Sequence, residues 1–580
     1  MLLLAISVTG CGESGIPSPT QPPKGQQNQG NGDKEKEDDK EEEPETGPNG
    51  EWDTPQITLN GSVIGPLTTL YGVVTDADSG AGIQGVVVSD GFTCVQTDVN
   101  GVYQIVRDER SEMVNISIPA EYEVPVDSRN LPNFYKRFLV EKGEKFRHDF
   151  SLKALPGGKQ TKFTILALAD PQCTDTNDTE RFRDETMPDI DALAPTLVNP
   201  YAIVLGDITN KNNSAIWAKE MQIMSNRKVT FFHCMGNHDH LNEQSPNDHS
   251  QTTSYWKSVE NFHKYCGPQN YSFDRGDVHF VVIDTCLHGE KPDASGATHE
   301  YATGLYDWGY KWFLEDLSFV PRSKAVVLCC HIPFRDGGGD NHNDKRYRRE
   351  ILNKLSEYKE AHILLGHTHH MYNWIHNVNG KRIQEHINGA VCGMLWHGPF
   401  NKDGTPNGYG VYEFDGTTLS NYWYKGTNCD KDFQIRCYDG GAQISSPMIN
   451  VNRDVKPKFH SSYAWNLIGQ VVANIWNIEH DEWEVSLWQN GQKVCNMEKM
   501  GREYDYYTLY WYCEIYGSNH DTYKFNSHHL YKGRLADPSA PFEVRAVDKL
   551  NRRGPYIGSG FATDFEGMKG DFDTKLLDEY

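Results

Sequence analysis

The chain has few positive charges for its length. Of 580 residues, 56 are Lys or Arg against 80 Asp or Glu, a formal net charge of −24. Binding to nucleic acid without sequence preference relies on Lys and Arg displacing counterions from phosphate, so this balance argues against it. Part of the excess is local, because DKEKEDDKEEEPE at 33–45 carries nine acids against three lysines. Long apolar runs are also missing. The opening MLLLAISVTGC is apolar but falls short of the roughly 20 residues that span a bilayer. The 13 cysteines contain no C-x-x-C pair that would suggest structural zinc. Cys329 and Cys330 inside AVVLCCHIP and Cys234 inside VTFFHCMGN read as buried small hydrophobes, so no disulfide framework is expected.

What is present divides the chain. Its length implies roughly three or four domains. VTGC, ending on Cys11, resembles the lipobox of bacterial lipoproteins, whose cysteine is lipidated after cleavage, although no Lys or Arg precedes the apolar run. Residues 1–11 are therefore expected to be a lipoprotein signal and 12–54, rich in Gly, Pro, Gln and charge, a disordered acidic tether. That pair predicts an exported protein held by a lipid anchor in the periplasm or on the cell surface, with the outer membrane favoured.

From 55 to 155 the pattern is all-β. LYGVVTDADSGAGIQGVVVSDGFTCVQTDVNGVYQIV (70–106) alternates β-branched with polar residues and is broken by Asp-Ser-Gly, Asp-Gly and Val-Asn-Gly turns, which predicts short antiparallel strands in a sandwich. Between about 160 and 425 the runs FTILALAD, YAIVLGD, VTFFHCMGN, VHFVVIDT, AVVLCCH and HILLGH each end on a carboxylate, an amide or an imidazole. Continuous apolar runs fit strands covered on both faces, and polar residues at their C-terminal ends fit the place where α/β proteins build sites. GYKWFLEDLSF (309–319) and KRYRREILNKLSEY (345–358) are the helical candidates between them. The fold class expected is α/β, a layered core with a β-sandwich flanked by helices and an all-β sandwich domain on each side. The second of these runs from 430 to 575. Its many Trp and Tyr residues suit a sandwich core better than a carbohydrate- or lipid-facing platform.

HILLGHTHH (362–370) carries the chemistry, since an apolar run stops at a glycine and then presents three histidines in four positions. Imidazoles two residues apart on an extended segment reach the same side, so both can serve one metal cluster. ADPQ with Asp170, GDITN with Asp207, GNHD with Asn237 to Asp239, HIPF with His331, and GHTH with His367 and His369 follow in order. In order and type they resemble the motifs of the calcineurin-like metallophosphoesterases, over roughly residues 161–425. The flanking segments are similar to the β domains of one bacterial branch of that family.

The resemblance implies a phosphoester hydrolase with two divalent cations, Mn, Fe, Zn or Mg. Asp207 would bridge them, Asp170 and His369 would hold the first, and Asn237, His331 and His367 the second. His238, not a ligand in the family, would hydrogen-bond the phosphate and protonate the leaving alkoxide, with Asp239 orienting and charging it. A water or hydroxide bridging the metals would attack in line. The family's motif has histidine where this chain has Gln172, whose amide oxygen ligates hard cations but is a weaker donor for zinc. Asn210, His240 and Arg335 are candidate substrate contacts, with His288, His370 and His397 as further pocket candidates. The loop FRDGGGDNHNDKRYRR (334–349) suits anion capture or simple solvation. The substrate expected is a phosphodiester or small phosphate compound, free or part of the envelope, with no obligate protein partner evident. Two alternatives stand beside this reading: a nucleotidase-like phosphomonoesterase, and an inactive core in a glycan- or envelope-binding lipoprotein.

Overall fold

The structure is a computed structural model that describes residues 56–138, 143–210, 214–240, 255–288, 301–335, 346–444, 463–479, 481–501, 503–509 and 526–562. Cys11, the tether at 12–54 and residues 336–345 of the arginine-rich loop lie outside the described residues.

Two sheets form the centre. Their strands are β1 (Lys162–Leu168), β2 (Pro200–Leu205), β3 (Phe231–Cys234), β4 (Tyr271–Arg275), β5 (Val278–Val282), β6 (Ala325–Cys329), β7 (Glu360–Leu365), β8 (Tyr372–Val378), β9 (Lys381–Ile387), β10 (Gly408–Asp415) and β11 (Thr418–Gly426). The first sheet has the order β3-β2-β1-β10-β11 and the second β4-β5-β6-β7-β9-β8. Within them β1, β2 and β3 run parallel, as do β5, β6, β7 and β9. Parallel neighbours need crossovers that lay helices on the sheet. Those helices include α1 (Met187–Leu193), α2 (Ser214–Met224), α3 (Asp307–Ser318) and α4 (Arg348–Leu355).

Alternate residues explain the unbroken apolar runs. Ile165, Ala167, Ile203 and Leu205 face Phe280, Val282, Val327 and Cys329 across the two sheets. Their neighbours Leu166, Leu168, Ala202 and Val204 pack outward on Met187, Trp217 and Met221 of α1 and α2. On the second sheet Val281, Val326, Leu328 and Ile363 pack on Trp312 and Leu317 of α3 and Ile351 and Leu355 of α4. The result is helix, sheet, sheet, helix, the layered core expected.

The N-terminal segment forms two four-stranded sheets and a two-stranded ribbon, and its Leu70, Val88 and Ile116 belong to the same cluster as Phe163 and Phe280 of the core. Its pairing is not wholly antiparallel, because Phe150–Leu152 lies parallel to Leu70–Asp76. The preceding Phe146–Arg147 strand pairs parallel with Leu70–Asp76 as well, so no hairpin joins the parallel neighbours. Beyond β11, two antiparallel four-stranded sheets enclose Trp483, Leu487, Val544 and Ile475. Trp483 is buried there, in keeping with a sandwich core, while Trp476 is buried against Met371 and Tyr424. Among the described residues no helix is long and apolar enough to cross a membrane.

Candidate metal centre

The motif residues gather where β1, β2, β3, β6 and β7 end. Each strand delivers its residue two to four positions past its end, and after β1, β2 and β7 it does so in backbone that L-residues seldom adopt. Asp170, Gln172, Asp207, His367 and His369 have φ of 48°, 42°, 49°, 74° and 53°. Left-handed backbone at non-glycine residues persists only where surroundings enforce it, and it clusters at functional sites.

The glycines of the motifs act in two ways. Gly206 has φ of 88°, the turn conformation that glycine tolerates, and a Cβ there would lie 2.7 Å from His331 Nδ1. Gly236 and Gly366 instead make room for carboxylates. A Cβ on Gly236 would meet Asp207 Oδ1 at 2.3 Å, and one on Gly366 would meet Asp170 Oδ2 at 2.5 Å.

Asp207, His331 and His367 bring one donor atom each to within 4.8 Å of one another. His331 Nε2 lies 3.1 Å from Asp207 Oδ2 and 3.9 Å from Asp170 Oδ1. His367 Nδ1 is 3.2 Å from His331 Nε2, and His369 Nε2 is 3.7 Å from Asp170 Oδ1. Backbone carbonyls aim two of the rings. His331 Nδ1 pairs with Leu205 O at 2.8 Å and His369 Nδ1 with Gly393 O at 2.6 Å, so each Nε2 keeps its lone pair for the centre.

Charge at the site is short on the positive side. Burial pushes the His331 imidazole down, but Asp207 and Asp170 outweigh it and hold its pKa well up. Burial works against ionisation of Asp207 too, and the charges of His331 and His238 outweigh it and hold that carboxyl below the usual range. Asp170 goes the other way, raised chiefly by burial, with His331 opposing and Asp207 adding. His369, lowered mainly by burial to about 3, stays neutral. The two carboxylates thus draw positive charge to this place, which a bound cation would supply.

The residues fit divalent cations on a further ground. Gln172 Oε1 and Asn237 Oδ1 are buried without a hydrogen-bond partner, a state that costs roughly 1–3 kcal/mol per group unless something binds there. The Gln172 amide is turned by Nε2 donating to Asn210 Oδ1 at 3.3 Å. Carboxylate, amide oxygen and imidazole together suit Mn²⁺, Mg²⁺, Fe²⁺ or Zn²⁺.

His238 sits half-exposed beside this cluster. Its ring is oriented by Asn210 O, 2.9 Å from Nδ1, and its backbone N–H donates to Asp207 Oδ1 at 2.8 Å. Asp239, expected to orient the ring, has carboxylate oxygens that accept from the N–H groups of Thr209 at 3.0 Å and Gly236 at 2.9 Å. Asp239 holds the turn that carries His238. Asn210, expected on the phosphate, donates its side-chain N–H to Thr174 Oγ1 at 2.7 Å and braces Gln172. Arg335 is buried, with its guanidinium 4.3 Å from the Tyr372 ring centroid and 3.5 Å from His370 Nε2. His397 is half-buried. His240 stacks on His288, their centroids 5.0 Å apart, and its Nδ1 pairs with Ser258 Oγ at 2.8 Å.

Sequence reasoning missed the carbonyls of Leu205, Asn210 and Gly393, which no side-chain pattern reveals. It also gave no role to Asp284, although that carboxylate stands next to last in the run VHFVVIDT.

Comparison with known proteins agrees with this geometry. Residues 163–371 match the calcineurin-like phosphoesterase family, 68–155 match the N terminal of calcineurin-like phosphoesterase and 385–553 its C terminal. No curated protein matches the chain. A solved structure of a Thermus thermophilus sulfate thiohydrolase, SoxB, in complex with glycerol is similar at 11% identity and a TM-score of 0.25. That match takes in 47% of this chain and 57% of the other, so the chain spans little more than half of that protein's length. From 68 to 553 the matches follow one another in the order of the sheets, and the chain belongs to the calcineurin-like phosphoesterases that carry both an N-terminal and a C-terminal domain.

Proposed function

We propose that the protein hydrolyses a phosphodiester or small phosphate compound with two divalent cations. The observation that carries this reading is the convergence of Asp207, His331 and His367 with the unpartnered oxygens of Gln172 and Asn237 in one buried place. Asp170 and His369 would hold one cation together with Gln172, and Asn237, His331 and His367 the other, with Asp207 shared. Cations bound there supply Lewis-acid charge for a phosphoryl oxygen and acidify water.

The chain's own residues do the rest. His238 holds one ring proton on Asn210 O, so Nε2 is the atom that gives a proton to the departing alkoxide. Asn210 fixes that ring and, through Gln172, one amide ligand. Arg335, a permanent cation stacked on Tyr372, supplies charge for a phosphate oxygen. The lipoprotein signal at Cys11 and the acidic tether would hold this enzyme on the envelope side of a membrane.

Substrate class is tested with p-nitrophenyl phosphate and bis-p-nitrophenyl phosphate under added Mn²⁺. Release of p-nitrophenol from the diester and little from the monoester supports a diesterase, and the reverse supports a nucleotidase-like monoesterase. No turnover of either, with retention on a glycan column, would overturn the enzymatic reading.

A further inference from the structure

A second cluster of metal-type donors lies at the end of β5, outside the centre described above. His240, Asp284 and Cys286 place one ligand atom each within 4.8 Å of one another. The side chains of His240 and Asp284 are 1% and 2% exposed, and Cys286 is 1% exposed.

Hydrogen-bond accounting leaves a gap at its middle. The single hydroxyl proton of Ser258 goes to Tyr255 O at 2.7 Å, so Ser258 Oγ must accept from His240 Nδ1, 2.8 Å away. His240 therefore carries its proton on Nδ1 and turns the lone pair of Nε2 toward Asp284 Oδ2, 3.4 Å distant. Asp284 Oδ2 already accepts from Tyr255 Oη at 2.8 Å, and Oδ1 from the Cys286 N–H at 2.8 Å. The Asp284 N–H is fixed by Asn270 Oδ1 at 3.0 Å. His240 Nε2 has no hydrogen-bond partner. Two lone pairs facing each other in a dry interior are costly unless a positive charge lies between them. A second proton on His240 answers poorly, since charge-assisted N–H···O bonds close to about 2.7–2.9 Å and it would leave Cys286 Sγ in the group unexplained.

We propose that His240 Nε2, Asp284 and Cys286 Sγ form a further divalent-cation site for a borderline-soft ion of the Zn²⁺ class. A thiolate, an imidazole and a carboxylate are that ion's ordinary ligands, with a fourth position left for water or a neighbouring side chain such as His288. Binding releases the Cys286 thiol proton as the thiolate forms. The cation would tie the end of the turn that carries His238 to the strand end beside β6, a positioning role. The inference is independent of phosphoester hydrolysis, because none of these three residues is needed for the Asp207 centre.

Cobalt(II) is the probe. The Asp207, His331 and His367 group contains no sulfur, so a thiolate-to-cobalt charge-transfer band in the near ultraviolet reports a cysteine ligand outside that group, and the variants assign it to Cys286. The full chain, stripped of metal and titrated with Co²⁺, is expected to develop that band. Cys286→Ser is expected to lose it together with about one bound cobalt per chain, while the remaining cobalt stays. His240→Gln keeps every cysteine and is expected to lose the band as well, which covers the case of a Cys286→Ser protein that fails to fold. Absence of the band at saturating Co²⁺ would overturn the proposal. So would its persistence in either variant, which would point to another sulfur such as Cys392 beside His369.

Discussion

At the scale of single residues the site is an arrangement of unsatisfied atoms. Gln172 is the informative one, since its Oε1 is buried without a partner where the family's motif carries histidine. Imidazole is the stronger donor for zinc, so Gln172→His is expected to slow loss of zinc to a chelator relative to the parent protein, and to change manganese retention less. Faster zinc loss in that variant would mean the residue does not face a cation. Asp207→Asn removes the carboxylate charge shared by the whole centre and is expected to abolish metal retention there, measured by elemental analysis. Side chains of this kind were legible in the sequence because motif order and type single them out. What aims them was not: Leu205, Asn210 and Gly393 act through carbonyls, which every residue type has. Adjacency in GNHD likewise does not say that the Asp239 oxygens turn back to cap Thr209 and Gly236.

At the scale of elements, strand ends and tight turns set the geometry. Gly236 has ordinary φ of −111°, so alanine is conformationally acceptable there, yet its Cβ would press on Asp207 N at 2.2 Å. Gly236→Ala is therefore expected to keep a cooperative melt while losing metal; a variant with full metal content would show that the turn yields. Helix α3 tests the packing. Trp312 is 1% exposed, packs on the second sheet and donates its indole N–H to Ser89 Oγ of the N-terminal segment at 2.9 Å. Trp312→Ala is expected to cost about 3–5 kcal/mol in denaturant unfolding. Strands such as β2 and β6 were legible because burial on both faces leaves only apolar residues. The parallel Phe150–Leu152 strand was not, since local alternation says nothing about the direction from which a chain returns.

At the scale of the whole molecule, polar networks join the C-terminal sheets to the core. Asp403 accepts from His529 Nε2 at 2.9 Å and from the Met371 N–H at 2.7 Å, and both side chains are almost fully buried. Burial pushes the Asp403 carboxyl up, but the charge and hydrogen bond of His529 outweigh it and its pKa is lowered. A group depressed on folding stabilises fully above its unfolded value of about 3.9, and that stability is lost as pH falls through the lower folded value. Asp403→Asn is expected to lower stability at pH 7 by about 3–5 kcal/mol, as for a broken buried pair. The gap in melting temperature should narrow as pH falls below about 4. A gap that is constant with pH would mean that the pair contributes no charge interaction. No sequence pattern links residues 403 and 529, so this seam could be found only from the fold.

The central claim is metal-dependent phosphoester hydrolysis with His238 as proton donor, and one experiment addresses it most directly. Protein treated with a chelator and then titrated with Mn²⁺ is assayed on bis-p-nitrophenyl phosphate and p-nitrophenyl phosphate, beside His238→Ala. Activity should vanish with the metal and return with it, and the variant should bind as much manganese yet turn over about 10²–10⁴ times more slowly. Activity that survives chelation, or a variant as fast as the parent, would contradict it.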